Sequence, residues 1–339
     1  MMKRIVKNER GIALYLVLWV MALLTVIAGE FCHAIRTEVN ITRNFKEETE
    51  TGYIAKAGVF WAIGELIVDE LIRRPGQIAG NAEEPEDIRW RFNVDIPAVP
   101  FGSGHFKVEK ENESGKVNLN RAGQPLLKMM LSTFEMDDET RDIIVDSILD
   151  WRDKDGLRHA GGAENEYYLS IPEPYRCRNN DFTTIEELLL VRGVTPEIFY
   201  GGLREMVSVY QEKEKPVEKD KPRRDEADFH RININAASPR MLRSLPGMTE
   251  EMALEITAYR EKKDLRTLPE VFSLVGSDIY MAIASYITLK PSPYYTIRST
   301  GLLPDSRTRQ GVQAVVKIDR EREKRYEIIQ WIDSLEYGS

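Results

Sequence analysis

The chain has 339 residues, 42% of them hydrophobic, and its 47 Lys and Arg against 55 Asp and Glu leave a formal net charge of −8. That length holds two or three domains with cores of their own, and the apolar fraction is well above that of a disordered chain. The acidic balance argues against a broad basic face for nucleic acid, two cysteines (Cys32 and Cys177) exclude a multi-disulfide framework, and four histidines with no i,i+4 pair argue against a His-rich zinc site.

At the N-terminus Lys3, Arg4, Lys7 and Arg10 precede an uncharged run from Ile12 to Gly29, 18 residues without proline. As a helix this run is roughly 27 Å long, enough to cross the hydrocarbon core, and the flanking positive charge keeps the short N-terminal side cytoplasmic. Beyond it Ile54, Ala55, Gly58, Val59, Ala62, Ile63, Leu66 and Ile67 recur at three- and four-residue steps, so an amphipathic helix should continue until Arg73-Arg74-Pro75-Gly76. From 12 to 74 that helix would be roughly 95 Å long. Residues 75–116 then open a β region, with alternation at Phe106-Lys107-Val108-Glu109 and a turn cluster at Asn112-Glu113-Ser114-Gly115.

Two helical modules follow, at 117–210 and 231–290. Lys116-Val117-Asn118-Leu119-Asn120-Arg121-Ala122 is echoed by Arg231-Ile232-Asn233-Ile234-Asn235-Ala236-Ala237, and each segment leads to a helix ending in Trp151-Arg152 or Tyr259-Arg260. A second helical pattern begins near Phe182-Thr183-Thr184 and near Leu265-Arg266-Thr267. Between the modules, 211–230 is dense in charge of both signs and has no apolar face, which reads as a solvated linker.

The first module carries an acidic cluster. Asp150, Asp153 and Asp155 are followed by Gly161-Gly162-Ala163-Glu164-Asn165, with Asn179 within reach. Hard oxygen ligands around glycines suit Ca²⁺, although an EF-hand is excluded because its first and last loop positions would be Trp151 and Gly162. A solvated acidic loop is the alternative at this stage.

The second module, through Leu242-Arg243-Ser244-Leu245-Pro246-Gly247-Met248, resembles a helix-hairpin-helix. Thr249, Glu250 and Glu251 stand where the hairpin would meet a phosphate, and 231–290 carries eight basic against seven acidic residues. Strong phosphate binding is therefore not expected, and a structural use of the motif is favoured. After it come three period-two segments, Tyr294–Ser299, Val312–Asp319 and Tyr326–Asp333, in the region 291–339. The expected fold is α+β, with a long transmembrane and stalk helix on a small antiparallel sheet and two inserted helix-hairpin-helix-like modules, also describable as SAM-like.

Two resemblances organise these readings. The basic leader 1–11 ending at Gly11 before an apolar helix resembles a type IV prepilin or pseudopilin signal, which implies cleavage by a prepilin peptidase and Ile12 as the new, N-methylated terminus. The family's usual Glu at the fifth mature position is replaced by Leu16, as expected of a subunit with no neighbour above it. With the Asp150-Trp151-x-Asp153-x-Asp155 run, the Gly161-Gly162-Ala163-Glu164 loop, Pro174-Tyr175-Arg176 and Leu190-Val191-Arg192-Gly193, nearly the whole chain resembles protein K of the general (type II) secretion pathway, a large minor pseudopilin. The resemblance implies a non-enzymatic inner-membrane protein with a periplasmic domain, at the tip of the pseudopilus, with minor pseudopilins I and J as partners and Ca²⁺ at the acidic loop. Asn165 stands where the family has Asp, which weakens that ligand. A membrane-tethered DNA receptor of the competence type is the alternative, resting on the hairpin module.

Overall fold

The computed structural model describes residues 9–72, 94–210, 231–304, 306–319 and 323–333. The leader up to Asn8, the helix stop at 73–76 and the charged linker 211–230 lie outside them. Helix α1 (Glu9–Ile72) runs unbroken for 64 residues, and the backbone of Gly11 and Ile12 belongs to its first turns. It is followed by β1 (Val99–Phe101) and β2 (Gly104–Asn112).

The first module comprises β3 (Val117–Asn118), α2 (Gln124–Leu131), α3 (Asp138–Arg152), α4 (Asn165–Tyr168), a 3-10 turn (Ile185–Leu190), α5 (Pro196–Ile198), α6 (Arg204–Met206) and β4 (Val207–Ser208). The second comprises β5 (Ile232–Asn233), α7 (Pro239–Ser244), α8 (Glu250–Lys262), α9 (Leu268–Val275), α10 (Ser277–Ile283) and β6 (Ile287–Thr288). The chain closes with β7 (Tyr294–Leu302), β8 (Arg309–Ile318) and β9 (Tyr326–Asp333).

Strands β1, β2, β7, β8 and β9 form one antiparallel sheet in that spatial order, so the strand before the modules lies directly beside the strand after them. Four strands were expected; β1 adds a short fifth by folding back on β2, with Phe101 opposite Gly104. In β2 the alternation is that of a half-buried strand: Phe106 and Val108 point into the core while Lys107 and Glu109 face outward. Strand β8 begins three residues before the expected Val312, because Arg309 still pairs with Leu302 on β7.

The C-terminal part of α1 lies across this sheet. Ile54, Ala55, Val59, Ala62, Ile63 and Leu66 are buried against Phe106, Val108, Tyr295, Ile297 and Val316. Ile67, on the margin of the stripe, is half-buried. Gly58 lets the two backbones approach, since a methyl group there would collide with Ser299 and the Phe106 ring. From Ala13 to Lys46, by contrast, every side chain is exposed, which leaves roughly 50 Å of bare helix before the sheet begins.

The two modules repeat the same internal construction. Each is closed by a parallel strand pair, β3 with β4 and β5 with β6. Asn120 donates to the Phe182 carbonyl and accepts its N–H (3.0 and 2.7 Å); Asn235 does the same with Leu265 (2.8 and 2.9 Å). Arg152 donates to the carbonyls of Leu119 and Ala122, and Arg260 to those of Ile234 and Ala237. Capping boxes Thr184–Glu187 and Thr267–Glu270 start the equivalent turns. The short extended Asn-x-Asn segment thus works as a clasp, with its side chains and carbonyls fastened to the ends of later elements. The apolar residues of both modules merge into one continuous core.

A polar junction joins sheet and modules. Lys116 lies 2.9 Å from Glu113 and 3.1 Å from Glu111, whose other oxygen accepts from Arg298 at 2.6 Å. Burial opposes charge on Glu111, yet Lys116 and Arg298 hold its carboxyl below the usual range.

Candidate metal centre

The site begins with the way α3 ends. Asp137 caps its N-terminus by accepting the Thr140 N–H, and the apolar face of Ile144, Val145, Ile148 and Trp151 seats it in the core. Asp150 is therefore carried inward on the last turn and is fully buried. The chain then leaves the helix at Asp153, loops outward through Asp155 and His159, and returns at Gly161-Gly162 to Glu164, the N-cap of α4.

That return is braced on both sides. The Gly161 N–H donates to Asp146 (2.9 Å), and Arg192, stacked on Tyr167, donates to the Gly162 carbonyl (3.0 Å). At Gly162 a side chain would strike Asp150 Oδ2, so glycine is what allows the loop to close over the carboxylate. Trp151, Tyr168 and Tyr175 pack behind the loop.

Four oxygens of this region are buried as atoms and lack a hydrogen-bond donor: Asp150 Oδ2, Asp153 Oδ1, Glu164 Oε1 and Asn179 Oδ1. Buried polar atoms ordinarily find partners, because leaving one unmet costs about 1–3 kcal/mol. Three carboxylates and a carboxamide with unmet oxygens are the kind of hard ligand that a divalent cation takes. Burial, together with the charges of Asp155 and Asp150, pushes the Asp153 carboxyl up, and burial does the same for Glu164. A bound cation would relieve both effects.

The other two residues of the expected set each have one side-chain oxygen bonded to a backbone N–H. Asn165 Oδ1 accepts the Cys177 N–H at 3.0 Å, and Asp155 Oδ1 accepts the Leu157 N–H at 2.8 Å. Asn179 enters instead, its amide nitrogen donating to the Asp155 carbonyl at 2.7 Å and its backbone in the left-handed region (φ 47°). His159 was passed over in the sequence. Its ring Nδ1 and its backbone N–H both meet Asp150 Oδ1, and Asp150, Asp153 and His159 place one ligand atom each within 4.8 Å of one another. The hydrogen bond to Asp150 holds the imidazole pKa above its ordinary value. The available signal was position alone, since His159 lies between the two halves of the acidic cluster.

Elsewhere, Cys32 is exposed and Cys177 buried, both as free thiols, and burial pushes the Cys177 thiol up to about 11. Leu16 stands exposed on the bare stretch of α1. Among the described residues, α1 is the one helix long and apolar enough to cross a membrane.

Comparison with known proteins agrees with this architecture. Residues 108–212 match the family described as type II secretion system (T2SS), protein K, and residues 227–270 match a helix-hairpin-helix motif. The chain is 27% identical over 301 residues to type II secretion system protein K of Pseudomonas aeruginosa, covering 83% of each. It is 27% identical over 211 residues to the Pectobacterium carotovorum protein of that name, covering 57% of this chain and 60% of the relative. The fold is shared with a chain of the GspK-GspI-GspJ complex of the enterotoxigenic Escherichia coli type 2 secretion system, at a TM-score of 0.60 and 14% identity, over 87% of this chain and 99% of that one. With its long apolar helix, its five-stranded sheet and its inserted helical modules, the chain is similar to protein K of the type II secretion system over most of its length.

Proposed function

We propose that this protein is a minor pseudopilin that stands at the tip of a type II secretion pseudopilus, starting or capping the filament, and has no catalytic role. The observation that carries the reading is α1 itself, a single helix whose N-terminal part is apolar and bare while its C-terminal part is built into a sheet. Exposed apolar helix of that length requires lipid or neighbouring helices around it. In a filament the stalks of adjacent subunits supply the second environment. The structural relative was crystallised with GspI and GspJ, and minor pseudopilins of those two kinds are the partners proposed here. An open groove of about 670 Å³ near the base of the sheet, lined in part by Phe45, Tyr53 and Phe101, provides apolar surface beside the stalk for such a contact.

In this reading the protein is a single-pass inner-membrane protein with its N-terminus cytoplasmic and its main domain periplasmic. A prepilin peptidase cuts between Gly11 and Ile12, and Ile12 is then N-methylated. Leu16 supports the tip position because a carboxylate there would have no amine from a subunit above it, and a buried unpaired acid is costly in lipid. The acidic pocket holds a divalent cation, with Ca²⁺ the ion favoured by its hard oxygens, and the ion ties α3 to the loop that follows. The hairpin of the second module serves packing: Thr249 caps α8 by accepting the Met252 N–H, and Glu250 and Glu251 fill the first turn where a phosphate would approach. This speaks against the DNA-receptor alternative.

The reading is tested at the leader. In cells with prepilin peptidase, Gly11→Ala should leave the precursor uncut, seen as a larger band on immunoblot. A mature band of normal size from that variant would reject the pseudopilin assignment.

A further inference from the structure

We infer that Arg240 is a latch between the two helical modules: its guanidinium fixes the angle at which the second module sits on the first, and without it that module turns on its attachment to the sheet.

The modules meet along α2 and α7. Apolar contact keeps two bodies together but is non-directional, and packed helices can slide past one another. A fixed angle needs a directional contact. Arg240 supplies one from the first turn of α7, where Ser238 accepts the Met241 N–H at 3.2 Å and Pro239 occupies the first helical position. Its side chain crosses to the first module. There the guanidinium lies over the Phe134 ring, 4.0 Å from the centroid, and donates to the carbonyl of Gly201 and, at 3.5 Å, to that of Thr133. A planar fork can hold two carbonyls and a ring face together, which a point charge cannot.

The receiving side is shaped for this side chain. Gly201 and Gly202 belong to a wide turn, Phe199–Leu203, between α5 and α6. Gly202 has a φ of 123°, and a Cβ there would collide with the Arg240 guanidinium, so conformation and space both call for glycine. The module that carries Arg240 does not itself call for it. Aligning Asn233-Ile234-Asn235 with Asn118-Leu119-Asn120 sets Arg240 opposite Pro125, outside the construction that the two modules share. The residue therefore serves the pair. The pivot lies on the sheet side: Asn233 donates to Ser114 Oγ at 3.1 Å, just after β2, and β6 is followed directly by β7.

The test uses the full chain in detergent, with Cys32→Ser and one spin label on each module, at Glu173→Cys and Met281→Cys. Both positions are exposed, and the buried Cys177 stays unlabelled. Pulsed electron–electron double resonance should give one narrow distance distribution in that background. Arg240→Ala should broaden it at least about twofold, and Gly202→Ala should do the same by pushing the guanidinium off its seat, with far-UV circular dichroism unchanged in both. Arg243→Ala, one turn further along α7 and paired with Glu250, should leave the distribution narrow. The latch is overturned by a broad distribution in the background itself, or by narrow ones in both Arg240→Ala and Gly202→Ala. Equal broadening by Arg243→Ala overturns it as well, and so does loss of helix signal in both Arg240→Ala and Gly202→Ala, which would make Arg240 a residue of folding and not of orientation.

Discussion

The arginines at the ends of α3 and α8, Arg152 half-buried and Arg260 buried, bear on stability in a way their charge alone would not suggest. Arg260 is 3% exposed, and burial lowers its pKa to about 10, yet it stays protonated at neutral pH and its donors meet the carbonyls of Ile234 and Ala237. Arg260→Ala would strand both carbonyls, so a loss of about 2–4 kcal/mol is expected, measured as chemical unfolding of the part that follows the bare helix. Lysine should rescue it poorly, because a point charge cannot bridge two acceptors as a planar fork does. The acidic pocket is likewise governed by single atoms. At about a hundredfold excess over Kd, a bound ion stabilises the folded state by about 2.7 kcal/mol, or roughly 5–10 °C in Tm. Ca²⁺ should produce a shift of that order in the wild type and none in Asp153→Ala with Glu164→Ala; an unchanged wild-type melting curve would count against the pocket.

At the scale of elements, the junction between sheet and modules is electrostatic and should be sensitive to pH at both ends. Although burial works against ionisation of Glu111, Lys116 and Arg298 keep its carboxyl below 4.5, and a depressed carboxylate stabilises the fold above 4.5. That contribution is lost as pH falls through the folded value. Burial disfavours the charged Lys116 amine too, but Glu113 and Glu111 outweigh it and hold its pKa above 10.5; its contribution is complete below 10.5 and fades as pH rises through the folded value. Glu111→Gln should therefore flatten the acid limb of a stability-versus-pH curve. An acid limb identical to that of the wild type would place the sensitivity elsewhere. The repeated clasp makes the same point about packing: a two-residue parallel strand pair is too short to hold a module by itself, and the Asn and Arg side chains supply the remaining fixation.

For the whole molecule, the consequence is a folded head on a bare stalk. The sheet holds α1 from Thr51 onward, and both modules share one core, so force or contact at the head is delivered to the helix through the β2–β7 pair that flanks the insertion. Co-expression with minor pseudopilins of the I and J kinds should yield a stable complex by size-exclusion chromatography, and removing divalent cations should lower the yield of the head without changing which proteins associate. A head that elutes alone at micromolar concentration of all three would argue against the tip assembly.

Much of this could be read from residue order, because periodicity is a local property. The apolar run, the stripe from Ile54 to Leu66, the alternating strands and the echo of Asn118-Leu119-Asn120 in Asn233-Ile234-Asn235 each follow from spacing along one element. The composition of the acidic loop likewise announced hard ligands. What only the tertiary structure decided is which atoms face one another. Asn165 spends its side-chain oxygen on a backbone N–H and Asp155 one of its two, while Asn179 and His159 are brought near by a left-handed turn and a loop braced from Arg192. The short strand β1 was missed for the same reason: its place in the sheet depends on a partner reached through a reverse turn, and three residues carry no period of their own. Chemistry can be counted from a sequence, but direction depends on contacts between distant segments.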